Sequence, residues 1–414
     1  MGATPSVPLV DLPQDRTFLI TGANTGIGYE TAKKIAQYGG RVIMACRSEE
    51  KANEAIERMT QETQTEFAEM KEKNAQDSHS ETKEAPSLNV QYMHLDLSKL
   101  QSTMDFINRY RESGLPIHVL ICNAGMLTDK KVITEDGFET IFQVNYLSHF
   151  LLTLHLLPLI KQSGPNCRII NIASKAHFLS EVNLDNIQSQ KHFTATKCYG
   201  NSKLYQIMSM YQLAKRLDKN AVSVFSVHPG FVKTNMLNYE TTFFNDLMTS
   251  AAVRMGLARK PTTGAIGPLI AALDPSFNGQ TAVYFSEERP KNPFAIARNE
   301  AKQEIIWNYS LECLKEYLND EILGEIGMKM DDIETVKHSV RDCEGTDVDK
   351  MEGNVNKKEI AVDRKVGIGK KEGDIDKKVT GDAKGDADTD KGYVDKEEVD
   401  DDKEKVDVDK NEET

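Results

Sequence analysis

Apolar and polar positions follow two rhythms along the chain. Short apolar runs at 17–21, 41–45, 89–95, 117–122, 167–172, 221–227 and 281–285 have the length of strands. Several lack polar alternation, as a strand buried on both faces requires. Between them the period lengthens to that of helices, most clearly over 27–38, 135–160 and 198–217. Strands alternating with helices predict a parallel sheet with crossover helices. The expected fold is therefore α/β, a Rossmann-type doubly wound sheet of about seven strands in one domain. It spans 17–320, with an N-terminal arm over 1–16, a helical linker over 321–340 and a tail over 341–414.

Two segments fall outside this rhythm. The stretch 60–88 is rich in Glu, Gln, Lys and Ser and longer than an ordinary connection, so it predicts an extended helix end followed by a mobile surface insertion. Beyond 341 the chain carries 16 Lys and Arg against 25 Asp and Glu, which supplies −9 of the formal net charge of −13. Tyr393 is the only aromatic residue there, and D-x-D-K units recur at 347–350, 374–377 and 407–410. Too little apolar surface is available to offset chain entropy, so the tail is expected to be disordered.

Charge and cysteine usage narrow the function classes. An acidic balance without a basic stripe argues against a nucleic-acid partner, because phosphate binding needs clustered Lys and Arg. The six cysteines are scattered without a C-x-x-C pair, so neither a zinc site nor a disulfide framework is signalled, and reduced thiols in a cytoplasmic setting are expected. No apolar run reaches the length of a membrane span; the best, 150–160, is interrupted by His155 and Pro158. No signal peptide is expected ahead of the first strand. Met1-Gly2-Ala3-Thr4-Pro5-Ser6 fits the N-myristoylation pattern at Gly2, but no polybasic patch follows to supply a second anchor. Peripheral membrane contact and homo-oligomerisation stay open.

The chemistry begins after the first strand, with Thr21-Gly22-Ala23-Asn24-Thr25-Gly26-Ile27-Gly28 leading into a helix. A tight turn, close backbone approach to a pyrophosphate and helix-on-strand packing each call for a residue without Cβ. The helix N-terminus then offers N–H groups to the phosphates. Just after the second strand stands Arg47, where an NAD site would carry a carboxylate for the ribose hydroxyl. A guanidinium suits a 2′-phosphate, so NADP(H) is favoured over NAD(H).

Further on, Cys198-Tyr199-Gly200-Asn201-Ser202-Lys203 opens a helical stretch. Positions i and i+4 share a helix face, which sets the Lys203 ammonium beside the Tyr199 phenol. A positive neighbour favours phenolate and lowers the phenol pKa, making Tyr199 a general acid and base. Ser174 follows the fifth strand, at the strand end where open α/β sheets bind ligands, and its hydroxyl is placed to polarise a substrate oxygen. Cys198 reads as a packed small residue.

Taken in order, the T-G-x-x-x-G-x-G, N-A-G, Ser and Y-x-x-x-K motifs resemble those of the short-chain dehydrogenase/reductases from about Thr17 to Leu314. Gly26-Ile27-Gly28-Tyr29-Glu30-Thr31-Ala32-Lys33, Ala45-Cys46-Arg47 and Val227-His228-Pro229-Gly230 are similar to the retinol dehydrogenase and WW-domain-containing oxidoreductase group, although no WW domain is present. The resemblance implies strand order 3-2-1-4-5-6-7 and hydride transfer between a nicotinamide and a carbonyl or alcohol carbon. It implies that Gly22, Asn24, Thr25, Gly26, Ile27 and Gly28 cradle the dinucleotide. Asp96 and Leu97 would lie at the adenine, and Asn123, Ala124 and Gly125 along the cofactor channel. Pro229, Gly230, Val232 and Thr234 would bracket the nicotinamide, and Lys203 would also hold its ribose. Asn145 would complete a tetrad with Ser174, Tyr199 and Lys203 by holding a water that links Lys203 to solvent. Ala173 and Cys122 depart from residues common in relatives, Ser and Asn, without touching the catalytic positions.

The segment 231–261, with Met236, Leu237, Phe243, Phe244, Leu247, Met248, Val253, Met255 and Leu257, reads either as an apolar lid or as an amphipathic helix packed on the domain. The expected function is an oxidoreductase acting with NADP(H) on a lipophilic alcohol or carbonyl compound, retinoid-, steroid- or prenyl-like. The alternative from another class is a catalytically silent dinucleotide sensor whose acidic tail binds partners.

Overall fold

The computed structural model describes residues 12–74, 85–232 and 258–333. Gly2, Thr234, residues 75–84 of the polar insertion, most of the 231–261 segment and the tail from 341 lie outside the described residues.

Among the described residues eight strands form one sheet, in the order β3-β2-β1-β4-β5-β6-β7-β8. They are β1 (Thr17–Thr21), β2 (Arg41–Cys46), β3 (Val90–His94), β4 (Val119–Cys122), β5 (Cys167–Ile172), β6 (Val222–His228), β7 (Val283–Ser286) and β8 (Arg289–Pro290). All pairings are parallel except β7 with β8. Strand order reverses between β1 and β4, which opens a crevice beyond their carboxyl ends.

The expected seven-strand sheet is present, with the antiparallel β8 added at the edge. Two residues are too few to leave a periodic signature, and Pro290 suits an edge because it has no N–H to donate. Extended pairing of β7 starts at Val283, later than the apolar run suggests, because Ala282 sits at φ 59° in the left-handed region.

Alternation along the strands sorts the core into two layers. Leu19, Ile43, Leu120, Ile169 and Val224 face one way, against α3 (Leu100–Glu112), α5 (Ser148–Gln162), α6 (Ala195–Arg216) and α9 (Glu300–Leu314). Phe18, Val42, Val119, Ile170 and Phe225 face the other, against α1 (Gly26–Gln37), α2 (Glu49–Asn74) and α8 (Ile266–Leu273). Helices α4 (Thr140–Phe142), α7 (Pro261–Gly264) and α10 (Asp320–Gly324) are short.

The helix expected over 135–160 begins later. Gly137 at φ 83° and a bridge between Ile133 and Glu139 hold the preceding residues in a turn, and the Glu139 carboxylate caps Ile141 N (3.0 Å) and Phe142 N (2.8 Å). A π segment, Gln143–Leu147, then joins α4 to α5. Helix α2 runs on to Asn74, so the polar stretch after 60 opens as helix. Its inner face is held by buried Thr63 and by Lys33 Nζ on Glu62 (2.7 Å) and Glu66 (3.1 Å). At the other end Ile322, Leu323, Ile326 and Ile333 are buried in the core, so packing continues past 320.

Trp307 anchors α9. It is fully buried, meets Phe150 edge-to-face at 4.9 Å and carries the Arg216 guanidinium over its ring at 4.5 Å. Trp307→Ala is expected to cost about 3–5 kcal/mol, read as a lowered urea midpoint at unchanged slope. A loss under about 1 kcal/mol would show that α9 is dispensable to the core.

Candidate active site

Strand β1 delivers Thr21 to the crevice, where its hydroxyl gathers three elements. It accepts from Asn123 N and Ala124 N, both at 2.9 Å, and lies 2.9 Å from Nε2 of His149 on α5. The Asn123 amide donates back to Thr21 O (2.8 Å) and Gly22 O (3.2 Å). That side chain thus clamps the glycine-rich turn instead of lining a channel with free donors. The glycines meet the expected steric demand. A Cβ at Gly28 would stand 2.3 Å from the Asn123 amide nitrogen and 2.7 Å from Gly22 O; Gly22, at φ 64°, is crowded by Ala124. Backbone is therefore exposed where a pyrophosphate would lie, and the first turn of α1 holds no acidic residue to repel one. This cradle fits a dinucleotide.

The other expected cofactor residues follow the carboxyl ends of the parallel strands. Asn24 and Thr25 lie in the turn, and Ile27 opens α1. Arg47 follows β2 and is exposed. One oxygen of Asp96, Oδ1, already accepts from Ser98 N (3.0 Å) and Ser98 Oγ (2.7 Å), while buried Leu97 uses its carbonyl on Ser148 Oγ (2.7 Å). Pro229, Gly230 and Val232 follow β6. A residue that the sequence reading missed holds them: Arg259 donates to Pro229 O at 3.1 Å, pairs with Glu287 and Glu288, and bridges Val232 through its backbone.

The four expected catalytic residues divide between positions. Helix α6 starts three residues earlier than the apolar pattern suggested, which places Tyr199 in its second turn, while the Ser174 hydroxyl caps the turn after β5 by accepting from Ala176 N (3.2 Å). Lys203 Nζ lies 5.6 Å from the centre of the Tyr199 ring and donates to Ile172 O (2.8 Å) and Gln206 Oε1 (3.1 Å). Asn145 sits in the π segment with both amide hydrogens engaged, accepting from Met126 N (2.7 Å) and donating to Met126 O (3.0 Å) and Ser202 Oγ (3.1 Å). Neighbouring Cys198 is a buried thiol 2.7 Å from Ser189 Oγ, as a packed small residue would be.

Burial governs the titration of this site, and here the expectation from spacing is overturned. Burial pushes the Tyr199 phenol above its ordinary value of 10.0, with the Ser174 hydrogen bond opposing, while burial brings Lys203 down to about 7. Desolvation disfavours both charged forms and outweighs the attraction assumed between ammonium and phenolate. Two buried histidines flank Ser174. His177 accepts from Phe294 N at Nε2 (3.2 Å), so its Nδ1–H donates to Ser174 O (2.6 Å); His228 Nδ1 accepts from Lys175 N (3.1 Å).

A Rossmann-type sheet with a glycine-lined turn at its switch point, and a Ser, Tyr and Lys gathered beside it, defines the class as oxidoreductase. The family model described as short chain dehydrogenase matches residues 16–71 and 65–243. Similar proteins include retinol dehydrogenase 12 of Mus musculus, 34% identical over 301 residues, covering 72% of this chain and 86% of that protein. Polyprenol dehydrogenase of Homo sapiens is 30% identical over 303 residues, covering 72% and 84%. WW domain-containing oxidoreductase of Gallus gallus is 30% identical over 311 residues, covering 73% and 69%. A solved structure of an uncharacterized protein from Mycobacterium Paratuberculosis superposes with TM-score 0.54 at 25% identity, covering 75% of this chain and 98% of that one. The chain belongs to the short chain dehydrogenase family.

The neutral histidines make stability depend on pH. Burial holds His228 at about 4 and His149 at about 3, against 6.5 for a free imidazole. The unfolded chain therefore binds more protons below 6.5, so this contribution is complete above 6.5 and is lost as pH falls toward 4. His228→Asn, whose Oδ1 replaces Nδ1 as the acceptor for Lys175 N, should flatten the decline in urea midpoint between pH 6.5 and 4.5. An unchanged slope would remove His228 from the linkage.

Proposed function

We propose that this protein is an NADP(H)-dependent oxidoreductase interconverting a lipophilic alcohol and its carbonyl compound, with Tyr199 as general acid and base. The observation that carries the reading is the placement of Lys203 Nζ, which lies 5.6 Å from the centre of the Tyr199 ring and donates to Ile172 O at the carboxyl end of β5, two residues before Ser174. A bound nicotinamide would supply or accept the hydride. Tyr199 hands its proton to the carbonyl oxygen in reduction and takes one from the alcohol in oxidation. Ser174 donates a hydrogen bond to that same oxygen and fixes it within reach of the phenol. Lys203, when protonated, stabilises the phenolate left behind.

Arg47, exposed after β2 where the ribose end of the cradle lies, supports the 2′-phosphate form of the cofactor. An apolar rim supports a lipophilic substrate. Phe178, Leu179, Phe231 and Phe294 are exposed beside the site, and the rings of Phe178 and Phe294 meet at 5.5 Å. The names of two relatives, retinol dehydrogenase and polyprenol dehydrogenase, fit a long apolar alcohol as the substrate class.

Tyr199→Phe is expected to lower turnover by about 100-fold or more, followed as NADPH absorbance with hydrophobic aldehydes, while NADPH binding stays near wild type. Undiminished turnover would remove Tyr199 from the mechanism. Arg47→Asp is expected to raise the KM for NADPH about tenfold or more and to spare or improve NADH, since like charges then meet at the 2′-phosphate. Equal use of both cofactors by the unaltered protein would sink the NADP assignment.

A further inference from the structure

The carbonyl of Asn145 accepts from two side chains, Gln206 Nε2 at 2.8 Å and His149 Nδ1 at 3.1 Å. Both donors come from side chains of neighbouring helices and converge on one backbone oxygen of the π segment. The Gln206 amide is fully buried, and its orientation follows from its partners: Oε1 accepts from Lys203 Nζ while Nε2 donates to Asn145 O. Reversing the amide would set two donors against each other at one end and two acceptors at the other.

We infer that Gln206 is a positioning residue for the proposed reaction: it ties the Lys203 ammonium to the Asn145 carbonyl. The inference rests on the reading of Lys203 as part of the active site. Two of the three ammonium hydrogens are committed, to Ile172 O and to Gln206, which leaves the third to point toward a ligand. The tether is covalently part of α6, three residues along from the lysine, so the helix that carries Nζ also fixes its acceptor. Gln206 lines a small cavity of about 20 Å³ together with His149, Asn171, Ser209 and Trp307. Truncation to alanine would enlarge it and leave room for water beside His149 and Asn171, so leucine is the better test.

The titratable groups facing Lys203 are Cys122 from β4, His149 from α5 and Tyr199 from its own helix. Burial raises Cys122 to about 12, lowers His149 to about 3 and raises Tyr199, so none carries charge near neutrality. The protonation of Lys203 is then read without interference.

The test compares Gln206→Leu and Gln206→Glu with the unaltered protein, in the base limb of kcat/KM against pH and in the titration of Lys203 by its 13Cε NMR shift without cofactor. An acceptor stabilises the ammonium, a carboxylate more so. Gln206→Leu should move both midpoints to lower pH, and Gln206→Glu, which keeps the shape of the residue, should move both up by about one unit or more. Midpoints that coincide with wild type in both folded variants would overturn the inference. Tyr199→Phe separates the two failures. If that variant stays active, the reading of the site fails, whereas the NMR midpoints still report whether Gln206 holds Lys203.

Discussion

The architecture of the site turns on the Thr21 hydroxyl. Parallel strands β1 and β4 part company at their carboxyl ends, because from there each chain leaves toward an opposite face of the sheet. One oxygen holds the two ends together by accepting Asn123 N and Ala124 N, with His149 on its third side. A buried backbone N–H without a partner costs about 1–3 kcal/mol, and this hydroxyl satisfies two of them at once. With the ends fixed, Asn123 can reach back to Gly22, and the crowding at Gly28 follows. The glycines are required because the clamp is tight.

The same economy of acceptors continues inward. The tautomer of His149 that donates from Nδ1 to Asn145 O leaves Nε2 to accept from Thr21. Gln206 donates to that same carbonyl and accepts from Lys203. A chain of hydrogen bonds thus runs from the glycine-rich turn, through the π segment, to the lysine. Every member is buried, so each bond is stronger than in water and each missing one costlier. The π segment belongs to this arrangement: such segments cluster at functional sites, and this one carries the carbonyl on which two side chains converge.

Much of this was legible in the amino acids, for identifiable reasons. Strands β1, β4, β5 and β6 are buried on both faces, so continuous apolar runs marked them with errors of one or two residues. The glycine turn was visible because it sits between a strand and a helix, and Tyr199 with Lys203 because one helical turn separates them. His149, Gln206 and Arg259 were not legible. Their roles depend on which side chains the sheet brings opposite them, from 128, 61 and 30 residues away, and no local period records that. The direction of the Tyr199 shift escaped for a related reason. Spacing displays the lysine, whereas the burial that opposes it is a property of the assembled core.

That reversal bears on which direction of chemistry the resting site favours. Burial pushes the Tyr199 phenol up and brings Lys203 down to about 7, so it favours the neutral form of both groups. In the proposed roles, a protonated phenol gives its proton to a carbonyl oxygen directly. Taking one from an alcohol needs the phenolate first, and in a desolvated pocket that charge must be balanced by Lys203 in its ammonium form. Because Lys203 loses that form through neutrality, phenolate becomes harder to stabilise at the pH where deprotonation would otherwise be easiest. The Gln206 acceptor bears on the balance because it favours the ammonium on which oxidation depends.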